Sequence, residues 1–201
     1  MSQFLEEFRA FQMAEARAPL PAEPVLFYGS SSIRFWDSLA ADFAGLPVVN
    51  RGFGGSTLRE CVGEMERLVY PVRPRAIVLY AGDNDIDSGA SPEAVADFFD
   101  AFAAAVEGQL GTVPIVFISI KPSPARFWNI AKIFRANELL RARMARWPQA
   151  RFLDVFQPML RPDGGPNHTI FTQDGLHMNA DGYRLWAGRV RSCLSELGLL
   201  P

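Results

Sequence analysis

The chain has 201 residues, 49% apolar and 21% charged, and its 20 Lys and Arg against 22 Asp and Glu give a net charge of −2 at pH 7. This length fits one domain that buries roughly 70% of the surface of its unfolded chain, and this composition excludes the disordered class. The scattered basic residues argue against a nucleic-acid partner, and no apolar run has the length of a membrane span. We expect a cytoplasmic protein, because the N-terminus carries acids among its apolar residues and does not resemble a signal peptide, although a processed secreted form would look the same.

The two cysteines, Cys61 and Cys193, lie far apart on predicted helices without a second ligand nearby. We interpret them as free, buried thiols.

Residues 3–17 predict an amphipathic helix, because Phe4, Phe8 and Phe11 follow the i, i+4, i+7 spacing of one apolar stripe. We assign residues 1–24 to this helix and a proline-rich linker, and residues 25–201 to the main domain. The helix should pack onto that domain. A homodimer contact is the alternative, since the linker could hold the helix away from the domain.

From residue 25 the chain repeats a short apolar strand, a turn and an amphipathic helix. The predicted strands are 25–28, 47–50, 76–81, 114–119 and 151–155, and the predicted helices are 32–43, 57–69, 92–109, 130–146 and 180–197. Such alternation predicts a parallel sheet covered on both faces, which is a three-layer α/β/α sandwich. The last helix should begin at the cap Asn179 and bury an apolar stripe, formed by Tyr183, Trp186, Ala187, Val190 and Leu194.

The first strand runs into a turn of small residues, Gly29-Ser-Ser-Ser32. In a parallel sheet this turn lies at the edge where ligands bind, and the first amides of the following helix are unpaired donors. Ser31 could therefore be a nucleophile beside an anion-stabilising amide. The alternative is that the serines only cap a helix.

Two further loops should reach the same edge. In Asn50-Arg-Gly-Phe-Gly-Gly-Ser-Thr57 the glycines leave amide donors exposed, and Gly55 is a candidate oxyanion donor. The loop lacks the third glycine of a dinucleotide motif and the ending of a phosphate loop, so we expect no nucleotide cofactor. In Gly82–Gly89 the glycine and glutamate positions do not fit a calcium loop, and we expect no metal. Asn84 could donate to an oxyanion or could only shape a turn.

Asp174 and His177 lie three residues apart in the loop before the last helix. That spacing can place a carboxylate against one imidazole nitrogen and leave the other to accept a serine proton. The second histidine, His168, has no acid at comparable spacing and is interpreted as a surface residue.

These segments resemble the four signature blocks of the SGNH hydrolases, also called the GDSL esterase/lipase family, over about residues 25–194. Gly29-Ser-Ser-Ser32 matches the Gly-Asp-Ser-Leu block, Asn50–Gly55 the glycine block, Gly82–Asp85 the Gly-x-Asn-Asp block, and Asp174–His177 the Asp-x-x-His block. Ser30 replaces the aspartate that gives the family its name, so Ser30 or Ser32 remains an alternative nucleophile.

The resemblance implies a flavodoxin-like sheet of order 2-1-3-4-5 and an ester hydrolase without a cofactor. Its nucleophile is Ser31, with Asp174 and His177 as the other catalytic residues, and the oxyanion donors are the amides of Ser31 and Gly55 and the side chain of Asn84. The chain shows no lid-like apolar insertion, which favours short acyl groups such as acetate on a sugar or small alcohol. An acyltransferase, a lysophospholipase or thioesterase for longer chains, and a binding module without turnover are the alternatives.

The loop after the fourth strand, Ser119–Trp128, should line the same edge. Lys121 or Arg126 could contact an anionic substrate, and Trp128 is a third candidate. The alternative is that these prolines, charges and aromatics are structural.

Overall fold

The five predicted strands form one parallel sheet. The computed structural model describes residues 4–200. The strands are β1 (Val25–Gly29), β2 (Val48–Gly52), β3 (Ala76–Tyr80), β4 (Ile115–Ile118) and β5 (Ala150–Leu153). Their spatial order is β2-β1-β3-β4-β5, with every neighbouring pair parallel. The predicted fold class and strand order are confirmed.

Helices cover both faces of the sheet. They are α1 (Leu5–Arg17), α2 (Ser31–Arg34), α3 (Leu39–Asp42), α4 (Leu58–Gly63), α5 (Met65–Leu68), α6 (Asp83–Asp87), α7 (Pro92–Leu110), α8 (Ile130–Met144) and α9 (Ala180–Glu196). Side chains alternate across β1, so Leu26 and Tyr28 join one core and Val25 and Phe27 join the other. The first core is closed by α1 and by α4 to α8, and the second by α2, α3 and α9. The central strands are apolar throughout because both of their faces are covered.

Two helices that the sequence predicts as continuous are each divided. The range 32–43 becomes α2 and α3 because the chain turns to bury Trp36, which is 1% exposed. The Trp36 indole donates to the Asp42 carboxylate at 2.7 Å and stabilises this turn. The range 57–69 becomes α4 and α5, with a break at Glu64, where φ is −105° and ψ is 11°.

Helix α1 packs onto the domain, as expected. The Phe53 ring, which follows β2, lies 4.8 Å from the Phe4 ring and 5.6 Å from the Phe8 ring, centroid to centroid. This stripe is the one from which a dimer contact was predicted, and it is covered within the chain. The homodimer and the division at residue 24 stay predictions, and residue 3 of the predicted helix lies outside the described residues.

Helix α9 agrees with its sequence pattern. The Asn179 side chain accepts hydrogen bonds from the amides of Asp181 and Gly182, and the predicted apolar stripe is buried. Both cysteines are free and buried, as predicted. Among residues 4–200, no helix combines the length and apolar character that crossing a bilayer requires.

Candidate active site

Three side chains from two distant segments of the chain meet at the carboxyl edge of the sheet. Ser31 Oγ lies 3.0 Å from His177 Nε2, and His177 Nδ1 lies 2.6 Å from Asp174 Oδ2. The hydroxyl, the imidazole and the carboxylate thus form one continuous hydrogen-bonded chain. Such an arrangement can remove the serine proton and stabilise the imidazolium that results.

A glycine turn at the end of β1 places Ser31. Gly29 has φ of +134°, and a Cβ there would lie 1.9 Å from the Tyr80 carbonyl oxygen. The Ser30 amide donates to that same oxygen at 2.9 Å. This close approach fixes Ser31 as the first residue of α2, where its amide precedes the helix's own hydrogen bonds. The neighbouring serines are buried, with Ser30 at 3% and Ser32 at 1% exposure, and His177 contacts Ser31 instead.

The acid of the trio is held by several donors. Asp174 Oδ1 accepts from the Thr172 hydroxyl at 2.7 Å and from the amides of Leu176 and His177 at 2.8 and 2.9 Å. Burial acts to raise the pKa of Asp174, but the hydrogen bonds from His177, the two amides and Thr172 outweigh it and hold the pKa well below its ordinary value. Asp174 is therefore ionised wherever the protein is folded at moderate pH.

Phe35 is a site residue that the sequence analysis missed. Its ring lies edge-on against the His177 imidazole, with centroids 4.9 Å apart, and it is 41% exposed. The four-residue spacing between Ser31 and Phe35 could have indicated this position, because residues i and i+4 lie on the same face of a helical turn. Thr172 was also missed, two residues before Asp174.

The glycine loop is hydrogen-bonded to the end of β1 and to helix α2. The Phe53 amide donates to the Gly29 carbonyl oxygen at 2.9 Å, and the Asn50 side chain donates to the Ile33 carbonyl oxygen at 2.7 Å. Gly55 is exposed, has φ of +75°, and would tolerate no ordinary side chain without strain. The structure therefore places the Gly55 backbone in a fixed turn beside the strand that leads to Ser31.

Asn84 lies on α6, a short helix in a segment that was interpreted as a loop. Its Nδ2 donates to the Ser56 carbonyl oxygen at 2.8 Å, and its Oδ1 accepts from Arg126 Nη1 at 2.9 Å. The next residue, Asp85, accepts from the Leu58 amide at 2.8 Å, at the start of α4. Burial raises the pKa of Asp85. These contacts lock the segment after β3 to the glycine loop.

The expectation that Lys121 contacts a substrate is corrected by its surroundings. Lys121 is 1% exposed, and its ammonium lies 3.1 Å from Tyr80 Oη and 3.4 Å from Asp83 Oδ2. Burial acts to lower the pKa of Lys121, but Tyr80 and Asp83 more than offset it, so the pKa is raised and the group stays charged. An ammonium with these internal partners does not reach a ligand in solvent.

The other two predicted substrate-contact residues, Arg126 and Trp128, differ in their surroundings. The Arg126 guanidinium is paired with Asp83 at 3.0 Å and Asp87 at 3.1 Å, as well as with Asn84. Its predicted contact with an anionic substrate stays a prediction. Trp128 is 72% exposed and stays a prediction. His168 is exposed, as expected for a surface residue.

Comparison with known proteins places the chain in a family. A sequence model of the GDSL-like Lipase/Acylhydrolase family matches residues 22–185. The platelet-activating factor acetylhydrolase IB subunit alpha1 of Bos taurus is 29% identical over 189 residues, which covers 86% of this chain and 75% of the relative.

Solved structures show the same fold. A protein from Streptococcus pneumonia superimposes with a TM-score of 0.82 at 20% identity, covering 96% of this chain and 93% of that one. A GDSL-like lipase from Bacteroides thetaiotaomicron gives a TM-score of 0.77 at 18% identity, covering 94% and 98%. The chain belongs to the GDSL-like lipase/acylhydrolase family.

Proposed function

We propose that this protein is a carboxylic ester hydrolase that works through an acyl-enzyme on Ser31. The observation that carries the proposal is the unbroken hydrogen-bonded chain from Ser31 Oγ through His177 to the Asp174 carboxylate, with distances of 3.0 and 2.6 Å. Family membership supports the reaction class.

Acylation begins when His177 Nε2 takes the Ser31 proton and Oγ attacks the ester carbonyl carbon. The carbonyl electron pair moves to its oxygen, and the resulting oxyanion is held by the amides of Ser31 and Gly55 and by the Asn84 side chain. Asp174 stabilises the imidazolium. As the tetrahedral species collapses, His177 gives its proton to the departing alcohol and leaves Ser31 acylated.

Deacylation repeats the steps with water. His177 removes a proton from water, the hydroxide attacks the acyl carbonyl, and the oxyanion occupies the same donors. Collapse returns the proton to Ser31 Oγ and releases the carboxylic acid. The protein groups alone balance every proton transfer in this cycle.

We assign short acyl groups, of the acetyl type, on a small alcohol or sugar as substrates. The relative from Bos taurus is named an acetylhydrolase, which supports a two-carbon acyl group. The exposed aromatic rings of Phe35 and Trp128 are apolar surfaces suited to the alcohol or sugar part of an ester.

A series of aryl esters from acetate to decanoate tests this proposal. Hydrolysis should be fastest for the shortest esters, and Ser31→Ala and His177→Ala should each abolish it while the circular dichroism spectrum stays unchanged. Ser32→Ala is the matched control, because it removes a neighbouring buried hydroxyl that has no partner among the described residues. Retained activity in Ser31→Ala would contradict the assignment of the nucleophile.

The same series separates the alternatives. A rate maximum at eight carbons or beyond would favour a lysophospholipase or thioesterase. Transfer of the acetyl group to an added alcohol in preference to water would indicate an acyltransferase. A wild-type protein without turnover on any ester would favour a binding module.

A further inference from the structure

The Asn84 side-chain amide is held at both of its ends. Nδ2 donates to the Ser56 carbonyl oxygen at 2.8 Å, while Oδ1 accepts from Arg126 Nη1 at 2.9 Å. A guanidinium can only donate and a backbone carbonyl can only accept, so these partners determine which end of the amide is which. Within residues 4–200 the second N–H of Nδ2 has no acceptor, and it is the one left for an oxyanion.

Arg126 is itself fixed from two sides. Nη1 lies 3.0 Å from Asp83 Oδ2 and Nη2 lies 3.1 Å from Asp87 Oδ2, with only 15% of the Arg126 side chain exposed. The two carboxylates stand on either side of Asn84 along α6. The guanidinium therefore cannot turn away from the Asn84 carbonyl without breaking two ion pairs.

Lys121 completes this cluster of charges. Its ammonium lies 3.4 Å from Asp83, so two cations face two carboxylates and the cluster is neutral as a whole. Buried ion pairs contribute little net stability, because the cost of removing the charges from water offsets their attraction. A contribution to folding stability therefore does not by itself explain why this cluster of charges lies next to Asn84.

The turn that carries Arg126 also contacts the other half of the site. Arg126 belongs to the 3-10 segment Pro124–Asn129, and the neighbouring Ala125 amide donates to the Gly175 carbonyl oxygen at 2.9 Å. Gly175 lies between Asp174 and His177. One short turn is therefore bonded both to the segment of the proposed oxyanion donor and to the loop of the proposed acid and base.

We propose that Arg126 is a positioning residue for the oxyanion donor Asn84, an inference that rests on the proposed esterase function. Arg126 excludes the flipped orientation of the Asn84 side-chain amide, which would turn the carbonyl oxygen toward the developing negative charge. Its hydrogen bond to Oδ1 also polarises the amide, which makes the free N–H a stronger donor. Because Arg126 acts through Asn84, it affects the transition state and not the binding of the ester.

A double-mutant cycle on hydrolysis of a short aryl ester tests the proposal. Arg126→Gln should lower kcat on the order of tenfold to a hundredfold with KM within about twofold, which is part of the loss expected for removing an oxyanion donor. The kcat of Arg126→Lys should lie between those of wild type and Arg126→Gln, since lysine keeps the positive charge but lacks the planar, bidentate guanidinium. In the Asn84→Ala background, Arg126→Gln should cause almost no further loss.

Arg143→Gln is the matched control. Arg143 on α8 also pairs with two carboxylates, those of Asp97 and Asp100 on α7, and within residues 4–200 its ion pairs do not involve Ser31, Asn84 or His177. The Arg143→Gln substitution should leave kcat and KM at wild-type values. Asp87→Asn keeps the test open if Arg126→Gln does not fold, because it loosens the same guanidinium and should lower kcat by a smaller factor that also vanishes in the Asn84→Ala background.

Additive losses from Arg126→Gln and Asn84→Ala, or a loss confined to KM, would overturn the positioning role while leaving the esterase intact. An unchanged kcat in Asp87→Asn would do the same. A wild-type protein with no Ser31-dependent hydrolysis would instead overturn the proposed function, and this inference with it.

Discussion

The carboxylate of Glu7 accepts a hydrogen bond from the backbone amide of Gly54, with Oε2 3.0 Å from the nitrogen. The same carboxylate pairs with Arg34 at 2.8 Å, so α1 is joined both to the glycine loop and to the last residue of α2. Residue 7 lies outside the family match, which begins at residue 22. Helix α1, which precedes the family match, therefore stabilises both the glycine loop and the short helix that begins at Ser31.

Replacing Glu7 by alanine should destabilise the folded protein and slow ester hydrolysis. We expect Glu7→Ala to lower the free energy of unfolding by about 1 kcal/mol, because the Gly54 amide and Arg34 lose their partner. It should lower kcat several-fold, because the turn that carries Gly55 is less fixed. Urea unfolding and ester hydrolysis measure the two effects. Glu6→Ala, an exposed acid on the same helix, is the control, and a Glu7→Ala protein equal to it in both assays would contradict the coupling.

Gly29 should tolerate no side chain. In Gly29→Ala the new Cβ would lie 1.9 Å from the Tyr80 carbonyl oxygen at a backbone with φ of +134°, so strand β1 must shift away from β3. We expect a loss of at least about 3 kcal/mol in unfolding free energy, together with the loss of hydrolysis. Gly63→Ala is the matched control, because nothing lies within 4 Å of its Cβ. A thermal midpoint for Gly29→Ala close to that of Gly63→Ala would be inconsistent with the described turn.

The sheet could be predicted from the sequence because its central strands are buried on both faces and therefore read as short apolar runs. The interruption between α2 and α3 could not be predicted. It depends on the burial of Trp36 against Phe27 and Trp186, whose rings lie 5.5 and 6.0 Å away, and no local pattern records such distant contacts. Helix α6 was missed because its sequence is rich in aspartate, which favours turns.

The candidate site was predictable where the chemistry is local. Asp174 and His177 are three residues apart, and parallel strands deliver Ser31 to the same edge. Lys121 was misjudged because a lysine after a strand is usually exposed. Its burial depends on Tyr80 and Asp83, which are 41 and 38 residues away along the chain.

Asp174→Asn should affect both activity and acid stability. We expect kcat to fall on the order of a thousandfold or more, since the amide no longer stabilises a protonated His177. A carboxyl whose folded pKa is depressed stabilises the protein above its unfolded pKa, and this gain is lost as the pH falls toward the folded value. The stability advantage of wild type over Asp174→Asn should therefore be complete at pH 7 and shrink below about pH 4.

Urea unfolding at several pH values measures that advantage. Asp163→Asn is the control, because Asp163 is an exposed acid in the preceding loop that pairs with Arg161 and accepts a hydrogen bond from the Gly165 amide, away from His177. An advantage of wild type over Asp174→Asn that grows as the pH falls would contradict the depressed pKa.

The thiols should be inert in the folded protein. Burial raises the pKa of Cys61 well above its ordinary value, and it also raises the pKa of Cys193. An aromatic disulfide reagent should label neither thiol in buffer and both in urea. Rapid labelling of the native protein at either position would show that the corresponding helix is not packed as described.

Reaction with a fluorophosphonate probe, followed by peptide mapping, tests the central claim most directly. The activated serine oxygen attacks the phosphorus of the probe, and fluoride departs, which leaves a stable phosphonate adduct on the serine. We predict one adduct on Ser31, formed equally in wild type and Ser32→Ala and absent from Ser31→Ala. An adduct on Ser30 or Ser32, or wild-type protein that hydrolyses esters without acquiring an adduct on Ser31, would contradict the account.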